Sequence, residues 1–206
     1  MSCMAENWLT EDLEELRAAV WRALQHGARE AKSPLHTPVF ATVTTDGAPN
    51  ARVVVLRECA PEARRLRCHT DARSLKAPEL AKNPAVAWLF YDAAQKIQIR
   101  ATGTARLHQG DEIARQGWEQ SRLDSRRCYL VGHASGTLLD APGSGLPPHL
   151  GERRPTEQES EAGWPNFAVV ISEITRLDWL YLSAYGHRRA QFVWDSAAWR
   201  GSWVVP

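Results

Sequence analysis

The chain has no apolar run long enough to cross a bilayer, and its four cysteines include no C-x-x-C pair. The first absence argues against a membrane-spanning protein. The second leaves no disulfide framework, so Cys3, Cys59, Cys68 and Cys128 are expected to be reduced thiols of a cytoplasmic protein. No excess of one charge is present either. A formal net charge of +1 over 206 residues argues against a chain built to coat nucleic acid. Residues 1–10 hold Glu6 and no apolar signal core, which makes secretion unexpected. Metal-ligand spacing is missing: His69 adjoins Cys68 and Cys128 precedes His133, without a second pair, so no metal is expected. Gly132-His133-Ala134-Ser135-Gly136 is not G-x-S-x-G, because the serine sits one place late. Neither G-x-G-x-x-G nor a Walker A sequence occurs. A nucleotide-like phosphate would have to be held by side chains and a helix start.

What is present suffices for a folded domain. Hydrophobic residues make up 44% of the chain, enough to build a core. The length fits a single domain over residues 1–206, with an N-terminal helical segment at 1–36 and a long irregular loop at 132–165. Trp179, Trp194, Trp199 and Trp203 crowd the C-terminal end, where such a cluster serves a core, a subunit interface or a flat ligand.

Thr10 is expected to cap a helix in which Leu9, Leu13, Leu16, Val20 and Leu24 recur at helical spacing, ending near Gly27 or at Ser33-Pro34. Strands are expected at 39–44 and 51–57, flanking the turn Asp46-Gly47, and at 64–70. A short helix over 75–82, capped by Ser74, precedes an apolar strand at 86–91. The alternation is clearest over 96–108, with Ile97, Ile99, Ala101, Ala105 and Leu107 on one side and Gly103 as a possible bulge. A helix over 111–121 is expected to bury Ile113 and Trp118. Strands at 167–171, 177–182 and 189–194 and a closing segment at 198–205 follow. Many strands, few helices and no βαβ alternation predict a mainly β (α+β) fold, an antiparallel barrel with peripheral helices.

One segment could hold an anion. In Cys68-His69-Thr70-Asp71-Ala72-Arg73-Ser74-Leu75-Lys76 a strand ends, hydroxyl residues follow, and a helix begins with a lysine in its first turn. Ordinary capping by Ser74 with a solvated lysine explains the same residues and stays open. Arg52 and Arg57 bracket the apolar run Val53-Val54-Val55-Leu56, as anion-binding arginines at strand ends do, or as rim charges of a surface-edge strand do.

Taken together, these pieces resemble pyridoxamine 5′-phosphate oxidase and the wider family of FMN-binding split barrels. Arg52-Val53-Val54-Val55-Leu56-Arg57 is similar to the family's R-x-V-L-L-K. His69-Thr70 and Ser74-Leu75-Lys76 are similar to Y-T and S-R-K. Residues 85–91, with Gln98 and Gly103, are similar to an apolar strand and Q-V-x-V-x-G. Leu177-Asp178-Trp179, His187-Arg188-Arg189 and residues 199–206 are similar to F-W, R-L-H-D-R and the family's C-terminal W-x-x-x-R-L-A-P.

The resemblance implies a split β-barrel and a homodimer with FMN held between subunits. It implies that Arg52, Lys76, Thr70 and Ser74 hold the phosphate side, with His69 and Arg57 beside them. The backbone of Val54, Val55 and Leu56 would face the flavin, with Gln98 at the ring's polar edge and Ser135 also in contact. Trp179 and Arg189 would reach the flavin from the other subunit. It also implies an oxidoreductase taking a hydride from a small molecule, foremost pyridoxamine or pyridoxine phosphate. Substrate would be bound by Arg57, Trp118, Arg122, Ser125 and His187, with His187 and Arg57 in the catalytic roles.

The sequence departs from the family pattern at Leu75, which stands where a phosphate-binding arginine is expected, at Ala134, and at Tyr185, which replaces the arginine of R-L-H. These departures keep two alternatives open: a non-catalytic flavin or haem carrier or sensor on the same barrel, and an NAD(P)H-dependent FMN reductase.

Overall fold

The computed structural model describes residues 7–206. Cys3 and Glu6 lie outside the described residues. Helix α1 spans Leu13–Arg29 and buries Leu16, Val20 and Leu24. Its cap is Asp12 rather than Thr10. The Asp12 carboxylate accepts the N–H groups of Glu14 and Glu15 at 2.8 and 3.1 Å, while the Thr10 hydroxyl bonds the Glu15 carboxylate. Leu9 therefore falls outside the helix and is exposed.

Among the described residues nine strands form one antiparallel sheet: β1 (Val39–Val43), β2 (Pro49–Val53), β3 (Glu58–Ala60), β4 (Arg65–Asp71), β5 (Ala85–Asp92), β6 (Ile97–His108), β7 (Phe167–Tyr181), β8 (Arg188–Trp194) and β9 (Trp199–Val204). The order is β2-β1-β5-β6-β7-β4-β3, and β8 and β9 branch from β7. Strand β7 carries the architecture. One edge pairs with β6 along its length, and the other pairs first with β4 (Phe167 to Glu173) and then with β8 (Arg176 to Tyr181). The sheet thus forks at β7 and does not close, as a split barrel requires. The strands expected at 167–171 and 177–182 are one element, continuous through the polar stretch Glu173 to Arg176. The ladder to β6 bridges that stretch by shifting register at Thr102/Gly103, the anticipated bulge.

The expected strand over 51–57 ends early, at Val53. From Val54 the backbone leaves the β1 ladder. Val54 and Leu56 donate to Pro38 and His36, and Arg57 donates to Arg67 on β4. The chain here crosses from one part of the sheet to the other, and β3, which the sequence pattern did not reveal, follows at once.

The main core joins α1 to Phe40, Trp88, Phe90, Ile97, Ile99, Leu177, Trp179 and Phe192. A smaller one lies beneath helix α3 (Glu112–Glu119), where Trp118, Tyr129, Phe167 and Val169 meet. Ile113, expected inside, is 36% exposed at the open start of α3. Helix α2 spans Lys76–Lys82, and short helices α4 (Leu123–Arg126) and α5 (Glu157–Ser160) flank the long connection before β7. That connection packs back on the body through the Arg154–Asp124 ion pair and the Asn166 side chain on the Tyr129 carbonyl. Among the described residues no helix is long and apolar enough to cross a membrane.

Candidate functional site

Alternation along β4 turns Leu66, Cys68 and Thr70 inward and Arg65, Arg67 and His69 outward. At its end the chain turns through Asp71 to Ser74, and the Ser74 hydroxyl donates to the Asp71 carbonyl at 2.6 Å. Ser74 does not cap α2. The N-cap is Leu75, which makes no side-chain capping bond, and Ser74 is held back in the preceding turn. Instead the Lys76 ammonium donates to Thr70 Oγ1 at 2.7 Å and Ser74 Oγ at 3.0 Å. An ammonium has three donors, so one remains. Burial, and next the charge of Arg52, push the Lys76 pKa down. Among the described residues no carboxylate lies within ion-pair distance of it.

Arg52 reaches the same corner from β2. Its guanidinium donates to Thr42 Oγ1 at 2.6 Å, to the Phe40 carbonyl at 3.3 Å and to Glu79 Oε2 at 3.2 Å. Glu79 is 3% exposed and also accepts from Thr42 and Asn50. Burial pushes its carboxyl up, but the hydrogen bonds from Thr42 and Asn50 and the charge of Arg52 hold it below the ordinary carboxylate value. Glu79 is a site residue the sequence reading missed. Its spacing from Lys76, three positions along α2, was the available signal.

Arg57 lies at the crossing between β2 and β3. Its guanidinium is without a hydrogen bond or ion pair among the described residues, and its charge reaches Cys68, His69, Cys128 and Tyr129. Arg52, Arg57 and Lys76 all act on Cys68, whose buried thiol is nevertheless pushed up to about 12. The N–H of Val55, between two residues whose N–H groups are spent on Pro38 and His36, has no partner among the described residues. A cavity of about 470 Å³ opens beside this corner, lined among others by His69, Thr70, Tyr129, His133 and Ser135. It brings Ser135 into the same cavity lining as Thr70 and Asp71 at the end of β4. Arg73 does not replace the arginine missing at Leu75: both its ends grip Asp71, and it also donates to the Val131 carbonyl.

His69 is neutral here. Burial first, then the charges of Arg57 and Arg67, bring its pKa from 6.5 to about 3, and its Nε2 has no partner. Its folded pKa lies below its unfolded one, so on acidification the unfolded chain takes the proton first. Stability is therefore expected to fall as pH drops from about 6.5 towards 3. His69→Gln should flatten that part of a pH series of urea midpoints; an unchanged slope would show that His69 is not held neutral.

A second group of expected residues lies elsewhere. Pairing sets Gln98 opposite Leu180 and Leu180 opposite Arg189, so Gln98 and Arg189 share one face of β6–β7–β8. On that face Asp178, 4% exposed, takes Arg189 through Nε and a terminal nitrogen (3.1 and 2.8 Å), Arg100 at 2.7 Å and Gln191 at 2.8 Å. Arg100 and Asp178 were not anticipated as site residues. A cavity of about 470 Å³ adjoins them, floored by Val39, Ala41, Ala87 and Leu89. Trp179 points the opposite way. It is fully buried against Trp8, Tyr181 and Trp203, so it presents no open ring face to a flavin. Strand alternation is the reason: if Asp178 faces out, Trp179 faces in.

The expected substrate residues do not form a cluster. Trp118 is fully buried, with its indole N–H on Glu161 at 2.7 Å, and cannot touch a substrate. Arg122 is exposed, 3.8 Å from Asp124, and the Ser125 carbonyl accepts from Cys128. His187 sits on the exposed β7–β8 hairpin, its Nδ1 accepting from the Ser183 N–H at 3.1 Å, and Tyr185 there is wholly exposed. No hydrogen bond joins His187 to Arg57.

The corner at β4 fits a flavin phosphate by its chemistry. It offers a lysine with a spare donor and no carboxylate within ion-pair distance among the described residues, and a guanidinium held in one orientation by Glu79. A family model described as the FMN-binding domain of pyridoxamine 5′-phosphate oxidase matches residues 18–109. Pyridoxine/pyridoxamine 5′-phosphate oxidase 2 of Arabidopsis thaliana is 26% identical over 178 residues, covering 80% of this chain and 84% of that one. Pyridoxine/pyridoxamine 5′-phosphate oxidase of Roseobacter denitrificans is 30% identical over 172 residues, covering 77% of each chain. Among solved structures, a pyridoxamine 5′-phosphate oxidase-related, FMN-binding protein of Nostoc punctiforme superposes over 100% of both chains at TM-score 0.73 and 22% identity. PhzG of Burkholderia lata, solved with tetrahydrophenazine-1-carboxylic acid, superposes at TM-score 0.71 and 19% identity over 99% of this chain and 98% of that one. The two superpositions show a shared fold. With the family model and the Roseobacter match, they make this chain a member of the pyridoxamine 5′-phosphate oxidase-like, FMN-binding family.

Proposed function

We propose that this chain is an FMN-dependent oxidoreductase that works as a homodimer, each flavin lying between the phosphate corner and Gln98 of one subunit and Arg189 of the other. The observation that carries the reading is the meeting of Lys76 with Thr70 and Ser74 at the end of β4, close enough to Arg52 for that guanidinium's charge to act on the Lys76 ammonium. FMN, when bound, supplies a hydride acceptor. The residues of the chain supply the rest. Lys76 and the N–H donors of Arg52 hold the phosphate, and Glu79 keeps Arg52 in one orientation. Gln98 and Arg189 offer donors to the ring's polar edge, where negative charge grows on reduction. Arg57, without a hydrogen bond or ion pair among the described residues, binds an anionic group of the hydride donor. Leu89, Tyr91 and Val193, all partly exposed on the Gln98–Arg189 face, favour a second copy covering it.

Pyridoxamine or pyridoxine phosphate is the leading hydride donor. A different anionic donor is favoured by two observations: Trp118 is unavailable, and Tyr185 replaces an arginine on the exposed hairpin. PhzG, with the same fold, is known with a ring carboxylate bound, and Arg57 suits either anion. The purified chain should take up FMN, show flavin absorption and run at dimer mass. Anaerobic addition of pyridoxamine phosphate should bleach the flavin. A flavin that stays yellow discards the vitamin substrate, and a chain that binds no FMN discards the whole reading.

A further inference from the structure

Asp178 is 4% exposed on a sheet face crowded with cations. Arg100 comes from β6, Arg189 and Gln191 from β8, and all three converge on its carboxylate from the two strands that flank β7. Arg176 lines the same cavity without an ion pair among the described residues.

We infer that Asp178 is a positioning residue for the flavin's polar edge. It fixes the Arg189 guanidinium and offsets part of the positive charge that Arg189 and Arg100 bring there. The inference rests on the FMN reading above, which assigns Arg189 to the flavin.

The geometry supplies the argument. A guanidinium has five N–H donors in a rigid fork. Asp178 takes the Nε side of Arg189 at 3.1 Å and one terminal nitrogen at 2.8 Å. The opposite terminal nitrogen is left directed away from the carboxylate, available to a ligand in one orientation. Arg100 shares Asp178 Oδ2 with Arg189, so two like charges are held together by one carboxylate. Burial pushes the Asp178 carboxyl up, yet the bonds from Arg189 and Gln191 and the charge of Arg100 keep it below the ordinary value, so it stays ionised near neutrality. Without the carboxylate the two guanidiniums repel each other and the edge carries one more positive charge.

A reduced flavin bears negative charge at this edge, so the local charge sets how readily the flavin is reduced. In the FMN-loaded protein, Asp178→Asn should move the flavin midpoint potential upward. It should also tighten sulfite addition to the flavin, which builds charge at the same edge, by about tenfold. Arg100→Gln, a change at a half-exposed side chain that leaves the Asp178–Arg189 grip in place, should move the potential down and loosen sulfite. It also keeps the inference testable if Asp178→Asn fails to fold. A merely structural Asp178 would alter thermal stability and leave both flavin readouts where they were. Potentials unchanged in the variants that fold, with FMN bound, would overturn the role of Asp178 alone. A wild-type chain that takes up no FMN would instead overturn the reading on which it rests.

Discussion

Arg52→Ala should lose both flavin affinity and fold stability, whereas Lys76→Ala should lose affinity alone. The difference lies in what each cation leaves behind. Removing Arg52 strips a buried carboxylate of its counter-ion: Glu79, 3% exposed, would keep only Thr42 and Asn50 as donors. Breaking such a pair from one side costs about 3 kcal/mol. For a chain of this size that is a fall in melting temperature of roughly 10 °C. Lys76 faces hydroxyls and no carboxylate, and its own burial is a cost, so its removal strands no charge. On the proposed placement of the phosphate, each variant removes a charge-assisted contact, so FMN affinity should fall about ten- to a hundredfold in both. Adding Glu79→Gln to Arg52→Ala should restore much of the melting temperature and none of the affinity. Thermal melts with and without FMN separate the two effects. Equal melting temperatures for Arg52→Ala and the wild type would show that Glu79 does not depend on Arg52.

Gly103→Ala should be among the most damaging single-methyl additions in the chain. A Cβ at this position would lie 1.9 Å from the Glu173 carbonyl oxygen and 2.9 Å from its carbon. Both are backbone atoms, so no side-chain rotation relieves the overlap. The bulge would have to open where β6 shifts register against β7, and overpacking of this kind costs about 3 kcal/mol. Because β7 then hands its other edge from β4 to β8, the strain would spread to both branches of the sheet. Gly132→Ala is the control, since a Cβ there meets nothing within 4 Å. It should melt with the wild type, while Gly103→Ala should melt roughly 10 °C lower or fail to accumulate. Equal melting of the two would mean that β6 does not approach Glu173 so closely.

Both predictions turn on contacts between residues far apart in sequence, and those were the contacts the sequence did not reveal. Short-range order was legible. The alternation of Ile97, Ile99 and Ala101 fixes one strand and its inner face, the glycine at 103 marks its bulge, and the leucines of α1 mark its buried stripe. Thr70, Ser74 and Lys76 could be grouped because they lie within one turn of each other.

What the sequence alone determined is therefore most of the elements in their order, the family resemblance, and the grouping of Thr70, Ser74 and Lys76 at the end of β4. Strand period, turn chemistry and hydroxyl–lysine spacing are local properties. The tertiary structure decided the rest. It joined two expected strands into β7, because the ladder to β6 continues through Glu173–Arg176 while the other edge passes from β4 to β8. It turned Asp178 outward and Trp179 inward, because pairing partners, not composition, choose which face of a strand is buried. It gave Arg52 a buried carboxylate from α2, enclosed Trp118 in a core of its own, and left Arg57 without a partner among the described residues at the crossing between β2 and β3. Each of these depends on which distant segments meet, and that choice is made only when the whole sheet assembles.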